Sequence, residues 1–164
     1  MPGTLSVISI PTAEHDPSRS VLATVKAGCQ PVRVVVSSNG DTVWVTARAS
    51  DDLLAFSASR LGSDPTRALI AAVRVGEAPV GLALARDDTR VVVADSNRFH
   101  AGGASSALTI VNAQAALAGK PAVLGTLPAG SFPREMAVTA DGTMLLVGNF
   151  ASDQLETIDV AALP

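Results

Sequence analysis

The sequence is poor in aromatic residues and in the residue types that most often carry chemistry. Its 164 residues include no tyrosine, one tryptophan and two histidines, and aromatic side chains make up 3%. The single cysteine, Cys29, excludes an internal disulfide, and because no histidine lies near it in sequence we expect a small packing residue rather than a nucleophile. Valine, alanine and leucine must fill the core, and a hydrophobic content of 48% excludes a disordered chain.

Several classes of partner and cofactor also lack a signal. The net charge is -3 and no basic patch accompanies it, which argues against nucleic acid as a partner. No run of about 18 apolar residues predicts a membrane span, and no signal peptide is predicted at the N-terminus. Dinucleotide, phosphate-loop, zinc-protease and paired-cysteine motifs are absent, so neither a metal nor a cofactor is predicted.

A tandem repeat organises what is present. The motif Gly-x-x-Pro occurs three times, and its prolines are 48 and 54 residues apart. Nine residues after each proline comes a turn-forming pair, flanked by two short apolar runs typical of a β-hairpin. The three copies of the motif begin at Gly28, Gly76 and Gly130, and the turn pairs are Asn39-Gly40, Asp87-Asp88 and Asp141-Gly142. Because the three copies place these residues at the same offsets without gaps, they indicate a repeated structural unit.

Each complete unit contains four predicted strands. The third strand starts 22 residues after the proline in the first and last copies and 29 after it in the middle copy, so the middle copy carries a seven-residue insertion near His100. The chain opens at strand three of one unit, at residues 5–9, and ends just after strand three of another, at residues 155–159. Helix is hard to place, and only residues 112–118 have the pattern of a possible helical turn. We expect residues 11–19 and 57–67 to be polar connectors rather than domain linkers. Asn112 and Asp159 are expected to brace turns through side-chain to backbone bonds.

Tandem four-stranded units of about 40 to 50 residues predict an all-β fold of β-propeller blades. Residues 1–164 then form one partial propeller domain of about three to three and a half blades, with boundaries near 1–27, 28–75, 76–129 and 130–164. Closed propellers have at least four blades. The chain is therefore expected to be either a fragment of a larger propeller or one half of a homodimer that closes the ring.

The unit resembles the YVTN β-propeller repeat. The resemblance rests on Gly130, Pro133, Asp141-Gly142, Val147-Gly148-Asn149 and Ile158-Asp159. It weakens in the first copy, where Ala47 and Ser57 replace the asparagine and the aspartate. The resemblance implies a bacterial exported or cell-envelope protein. Phe132-Pro133-Arg134 also resembles a segment of the related seven-bladed lactonase family, although Glu135 stands where that family often has histidine.

One end of the predicted blades is expected to carry the site. In a propeller, the loop from strand four to the next strand one and the loop from strand two to strand three share one face, and loops that break a regular scaffold often carry function. Arg33 and Arg134 are expected beside the central channel, where they either bind a carboxylate or phosphate or pair with aspartates of a neighbouring blade. The candidate ligand-binding residues on this face are Arg33, Arg48, Asp95, Asn97, Arg98, His100, Arg134, Asn149 and Asp153.

Three functional hypotheses follow. The leading one is a non-enzymatic propeller scaffold that binds a protein or a small ligand. The alternative is a lactonase-like hydrolase of sugar lactones, motivated by Phe132-Pro133-Arg134 and the loop that contains His100. The third is an inactive fragment of a larger propeller. No catalytic residue is assigned, and the ligand is not identified by the sequence.

Overall fold

The computed structural model describes residues 2–98 and 106–164. Within these ranges the chain forms antiparallel strands joined by short loops. The strands are β1 (Pro2–Ile8), β2 (Val21–Cys29), β3 (Pro31–Val36), β4 (Thr42–Ala47), β5 (Asp52–Ser57), β6 (Leu69–Arg74), β7 (Pro79–Ala85), β8 (Arg90–Asp95), β9 (Ala107–Asn112), β10 (Val123–Pro128), β11 (Pro133–Val138), β12 (Met144–Asn149) and β13 (Gln154–Asp159).

The strands group into four sheets in chain order. Sheet I contains β1 and β2, sheet II contains β3 to β6, sheet III contains β7 to β10, and sheet IV contains β11 to β13. Every pairing is antiparallel between strands that follow one another in the chain. The predicted all-β fold of two strands, two four-stranded units and three strands is confirmed.

Neighbouring sheets pack face to face through three apolar cores. The core between sheets I and II includes Val25, Ala27, Val45 and Phe56, and Trp44 lies in the core between sheets II and III. The core between sheets III and IV includes Ala94, Leu108, Leu145 and Val147. Consecutive residues of β4 and of β8 are buried, so sheets II and III are covered on both faces. The first strands of sheets II, III and IV, which are β3, β7 and β11, lie side by side.

Short helices follow strands β1, β5 and β9. They are α1 (Ile10–His15), α2 (Ala58–Ser63) and α3 (Ala113–Leu117), and a 3-10 turn, Val160–Ala162, follows β13. The possible helical turn at residues 112–118 is present as α3, whereas α1 and α2 were not predicted in the connectors at residues 11–19 and 57–67. Each of these turns begins with a side-chain cap, from Ser9, Ser57, Asn112 and Asp159.

The caps explain why sequences with weak helical periodicity form helical turns here. The side-chain oxygen of each cap accepts a hydrogen bond from a backbone N–H that the first turn leaves without a partner. The predicted bracing role of Asn112 and Asp159 is confirmed, because they accept from the N–H groups of Ala115 and Ala161 at 2.9 and 2.8 Å. None of the helices in the described ranges is long and apolar enough to cross a membrane.

Candidate functional site

The same hydrogen bonds recur at one end of sheets II, III and IV. There, the segment that enters the first strand accepts two backbone hydrogen bonds from the loop that leaves the second strand. The first of these bonds joins Arg48 to Gln30, Ser96 to Ala78 and Phe150 to Phe132, at 3.0, 3.2 and 2.9 Å. We call this end the loop face, and it comprises residues 28–33, 47–51, 76–81, 95–98, 130–135 and 149–153.

The glycines of the Gly-x-x-Pro motif are required by this arrangement. A Cβ atom on Gly76 would lie 2.4 Å from the Asp95 side chain, and one on Gly130 would lie 2.5 Å from that of Asn149. The equivalent contact of Gly28 is with Ala47, at 2.6 Å. Each glycine therefore lets the entering segment pass directly over the last residue of the second strand, which fixes that residue beneath the loop face.

The side chains of Asp95 and Asn149 are buried under the entering segments of the loop face. Asp95 is 4% exposed and accepts a hydrogen bond of 2.5 Å from Thr109, while its Oδ1 atom is buried without a hydrogen-bond partner. Burial is the main cause that raises the pKa of the Asp95 carboxyl to about 7. Asn149 is 2% exposed and donates to Glu156 at 3.0 Å. Both side chains are therefore bonded to the third strand of their own sheet, Asp95 to Thr109 on β9 and Asn149 to Glu156 on β13.

Arg33 and Arg134 meet the same carboxylate at the inner edge of the loop face. Arg33, on β3, forms an ion pair with Glu135 on β11. The Nε atom of Arg134 lies 3.7 Å from the same Glu135 oxygen. The expected pairing was with aspartates of a neighbouring blade, whereas the partner of Arg33 is a glutamate on a strand two sheets away. Ligand binding by the two arginines stays a prediction.

Gly81 makes this meeting possible. Arg33, Gly81 and Glu135 each lie two residues after the motif proline, at the register shift that opens the inner strand of their sheet. A Cβ atom on Gly81 would lie 2.9 Å from the backbone oxygen of Arg134. The glycine thus allows β11 to approach β7 closely, and it places no side chain between Arg33 and Glu135.

Two arginines and two phenylalanines form a ladder beside this ion pair. The rings of Phe132 and Phe150 meet edge to face with centroids 5.6 Å apart. The Arg98 guanidinium lies 5.2 Å from the centre of the Phe132 ring, and that of Arg134 lies 5.5 Å from the centre of the Phe150 ring. Phe150 is nevertheless 62% exposed. These cation–π contacts orient the guanidinium groups and leave an exposed aromatic edge between them.

The other sequence-predicted residues occupy different places. Asp153 and Asn149 line, with Arg134, an opening of about 340 Å³ on the loop face of sheet IV. Arg48 donates to the Gln30 side chain at 2.8 Å and lines a separate opening between sheets II and III. Asn97 lies after β8 and its backbone N–H donates to Glu77 at 3.2 Å. His100 lies outside the described residues.

Glu135, Phe132 and Phe150 were absent from the residues predicted for the site. The repeat alignment carries a signal for Glu135, which has the same offset from its proline as Arg33. The two phenylalanines are half of the four in the chain, and both fall on loop-face segments. In residues 2–98 and 106–164, no group of three His, Cys, Asp or Glu side chains is placed to hold a metal ion.

Solved structures share this arrangement of sheets. Hydrazine synthase of Kuenenia stuttgartiensis matches 89% of this chain with a TM-score of 0.71 and 19% identity. A functionally unknown protein from Desulfotomaculum acetoxidans matches 95% with a TM-score of 0.72 and 14% identity. The periplasmic gluconolactonase PpgL of Pseudomonas aeruginosa matches 94% with a TM-score of 0.66 and 19% identity. The four sheets are blades of a β-propeller.

These likenesses establish the fold of the blades and nothing finer, because all three identities are low. The chain spans 38%, 43% and 44% of the three structures, less than half of each. No family model and no curated protein matches the sequence. The propeller part of the expected resemblance is therefore shown, and membership of the YVTN repeat family stays a prediction.

Proposed function

We propose that this protein is a non-enzymatic propeller scaffold that binds a small carboxylate-bearing ligand on the loop face of its last blades. The observation that carries the proposal is the ladder of Arg98, Phe132, Phe150 and Arg134. Guanidinium groups bind carboxylates through charge-assisted hydrogen bonds, and flat aromatic surfaces pack against the apolar part of a ligand. An exposed site that combines both is suited to an organic anion.

Arg134 is the central residue of the proposed site. Its guanidinium contacts the Phe150 ring, lies near the Glu135 carboxylate and lines the opening that also contains Asp153. A guanidinium that stacks on an aromatic ring keeps the N–H donors at its own edge free to bind a ligand. A carboxylate bound to these N–H groups would leave the contact between Arg134 and the Phe150 ring in place.

Calorimetric titration with glucuronate tests the proposal. Glucuronate combines one carboxylate with a sugar ring that can pack on Phe150. We expect Arg134→Ala to weaken binding about ten-fold, which corresponds to about 1.4 kcal/mol for a charge-assisted hydrogen bond. Arg67→Ala is the matched control, because the Arg67 side chain is 81% exposed in a connector away from the loop face. Equal affinities of wild type and Arg134→Ala would contradict the proposal.

A sugar-lactone hydrolase is the second candidate. Arg134 follows the motif proline at the propeller channel, and the likeness to PpgL, a periplasmic gluconolactonase, is compatible with chemistry at this place. Turnover of gluconolactone by wild type, with loss in Arg134→Ala and His100→Ala, would support this candidate. No turnover above the rate of spontaneous hydrolysis would eliminate it and would leave the binding scaffold as the function.

A further inference from the structure

We infer that Glu135 tunes the charge preference of the loop face, shifting it away from doubly charged phosphates and towards singly charged carboxylates. The inference rests on the proposed anion site and names its ligand class. Three charged side chains meet at the inner edge of the site, Arg33, Arg134 and Glu135. Their sum is one positive charge, and the charges of Arg98 in the ladder and Asp153 in the opening cancel each other. Glu135 therefore halves the positive charge that Arg33 and Arg134 would otherwise present to an anion.

The position of Glu135 is built into the inner strands. Its backbone lies at the register shift of β11, at the same offset as Arg33 on β3. Gly81 allows β11 to pack close to β7, because any Cβ atom there would collide with the Arg134 backbone oxygen. Glu135 is consequently held between the two guanidinium groups by the fold, rather than by a flexible loop.

The Glu135 carboxylate acts on the ligand as well as on the arginines. The side chains of Arg33, Arg134 and Glu135 are 33%, 46% and 63% exposed, so their fields are weakened by solvent but not removed. An anion bound by Arg134 is repelled by Glu135 in proportion to its charge. A phosphate monoester, which carries a charge of about -2 above its second pKa of about 6, is therefore repelled about twice as strongly as a carboxylate.

Removal of this single negative charge should change the preference of the site. In Glu135→Gln the three residues sum to two positive charges, and the amide keeps the size of the side chain. We expect the ratio of the dissociation constant for glucose 6-phosphate to that for glucuronate to fall about ten-fold relative to wild type. Both probes are six-membered sugars that carry their anionic group at position 6, as a carboxylate in glucuronate and as a phosphate ester in glucose 6-phosphate. Comparing each variant with wild type cancels the difference in size between the two probes.

The experiment measures both dissociation constants at about pH 7.5, where the phosphate is doubly charged. Wild type is compared with Glu135→Gln, with Arg33→Gln and with Asp87→Asn. Arg33→Gln removes a positive charge from the same group and should raise the ratio. Asp87→Asn makes the same change of charge on the opposite end of the blade, in a turn where asparagine tolerates the positive φ of 51°, and should leave the ratio unchanged.

The outcomes separate this inference from the proposed function. A lower ratio in Glu135→Gln and an unchanged ratio in Asp87→Asn support the inference. If glucuronate binds through Arg134 but the ratio is the same in wild type and Glu135→Gln, the inference is wrong and the anion site stands. If neither probe binds to wild type or to any variant, the proposed anion site is wrong and the inference falls with it.

Discussion

Asp95 is a buried carboxyl whose protonation is coupled to folding. Its pKa is about 7 in the folded protein and 3.8 when exposed, chiefly because burial disfavours the charged form. The folded state therefore keeps the proton between about pH 4 and pH 7 while the unfolded state has lost it. Within this window the contribution of Asp95 to stability decreases as the pH rises, and above about pH 7 the loss is complete.

Asp95→Asn removes this dependence on pH. We expect the free energy of unfolding of wild type to fall relative to that of Asp95→Asn as the pH rises from 4 to 8, by an amount on the order of 4 kcal/mol. Asparagine is tolerated at this place in the repeat, since Asn149 occupies the equivalent position in sheet IV. Urea denaturation of both proteins at several pH values measures the difference. A constant difference across the range would show that Asp95 is ionised throughout.

Gly130 is a residue whose replacement should destabilise the fold by steric overlap. A Cβ atom there would lie 2.5 Å from the Asn149 amide, which is fixed by its bond to Glu156. We expect Gly130→Ala to lower the free energy of unfolding by about 2 kcal/mol. Gly125→Ala is the control, because its nearest contact would be at 3.9 Å. Thermal or urea denaturation that gave equal stabilities for both variants would contradict the expected overlap.

Among the elements, α3 depends on a single capping side chain. Asn112 accepts a hydrogen bond of 2.9 Å from the Ala115 N–H, and α3 is only five residues long. We expect Asn112→Ala to lower the free energy of unfolding by about 1 kcal/mol. Gln114→Ala changes an exposed residue of the same helix and should have an effect below about 0.5 kcal/mol. Urea denaturation compares the two, and an equal effect would mean that the cap contributes nothing.

The strands could be predicted from the sequence, whereas the helices and the site could be predicted only in part. Strands, turns and their order follow from a local pattern that repeats, so each copy supports the others. The helical turns depend on one capping residue each and leave no periodic signal. The ion pair of Arg33 and Glu135 joins residues 102 apart in sequence, and it requires the close packing of β11 on β7 at Gly81. No local pattern encodes such a contact.

At the scale of the whole molecule, the sheets differ in how fully their edges are paired. Strand β8 is bonded to β7 on one side and β9 on the other, and five of its six residues are buried. Among the strands of residues 2–98 and 106–164, β1 is paired only with β2, and β13 only with β12. The exposed Leu155 on β13 adds apolar surface to an unpaired edge. The homodimer expected from the number of strands would cover such edges, and it stays a prediction.

Amide hydrogen exchange at two protein concentrations tests both the difference in strand pairing and the homodimer. For the separate chain we expect the amides of β8 to exchange slowest, and those of β1 and β13 to exchange fastest among the strands, because protection follows burial and pairing. If two copies close a ring, exchange in β1 and β13 should slow as the concentration rises, while exchange in β8 stays the same. Light scattering at both concentrations gives the mass independently. Concentration-independent exchange of β13 together with a monomeric mass would rule out the homodimer and would leave the other expectation, that these blades belong to a larger propeller.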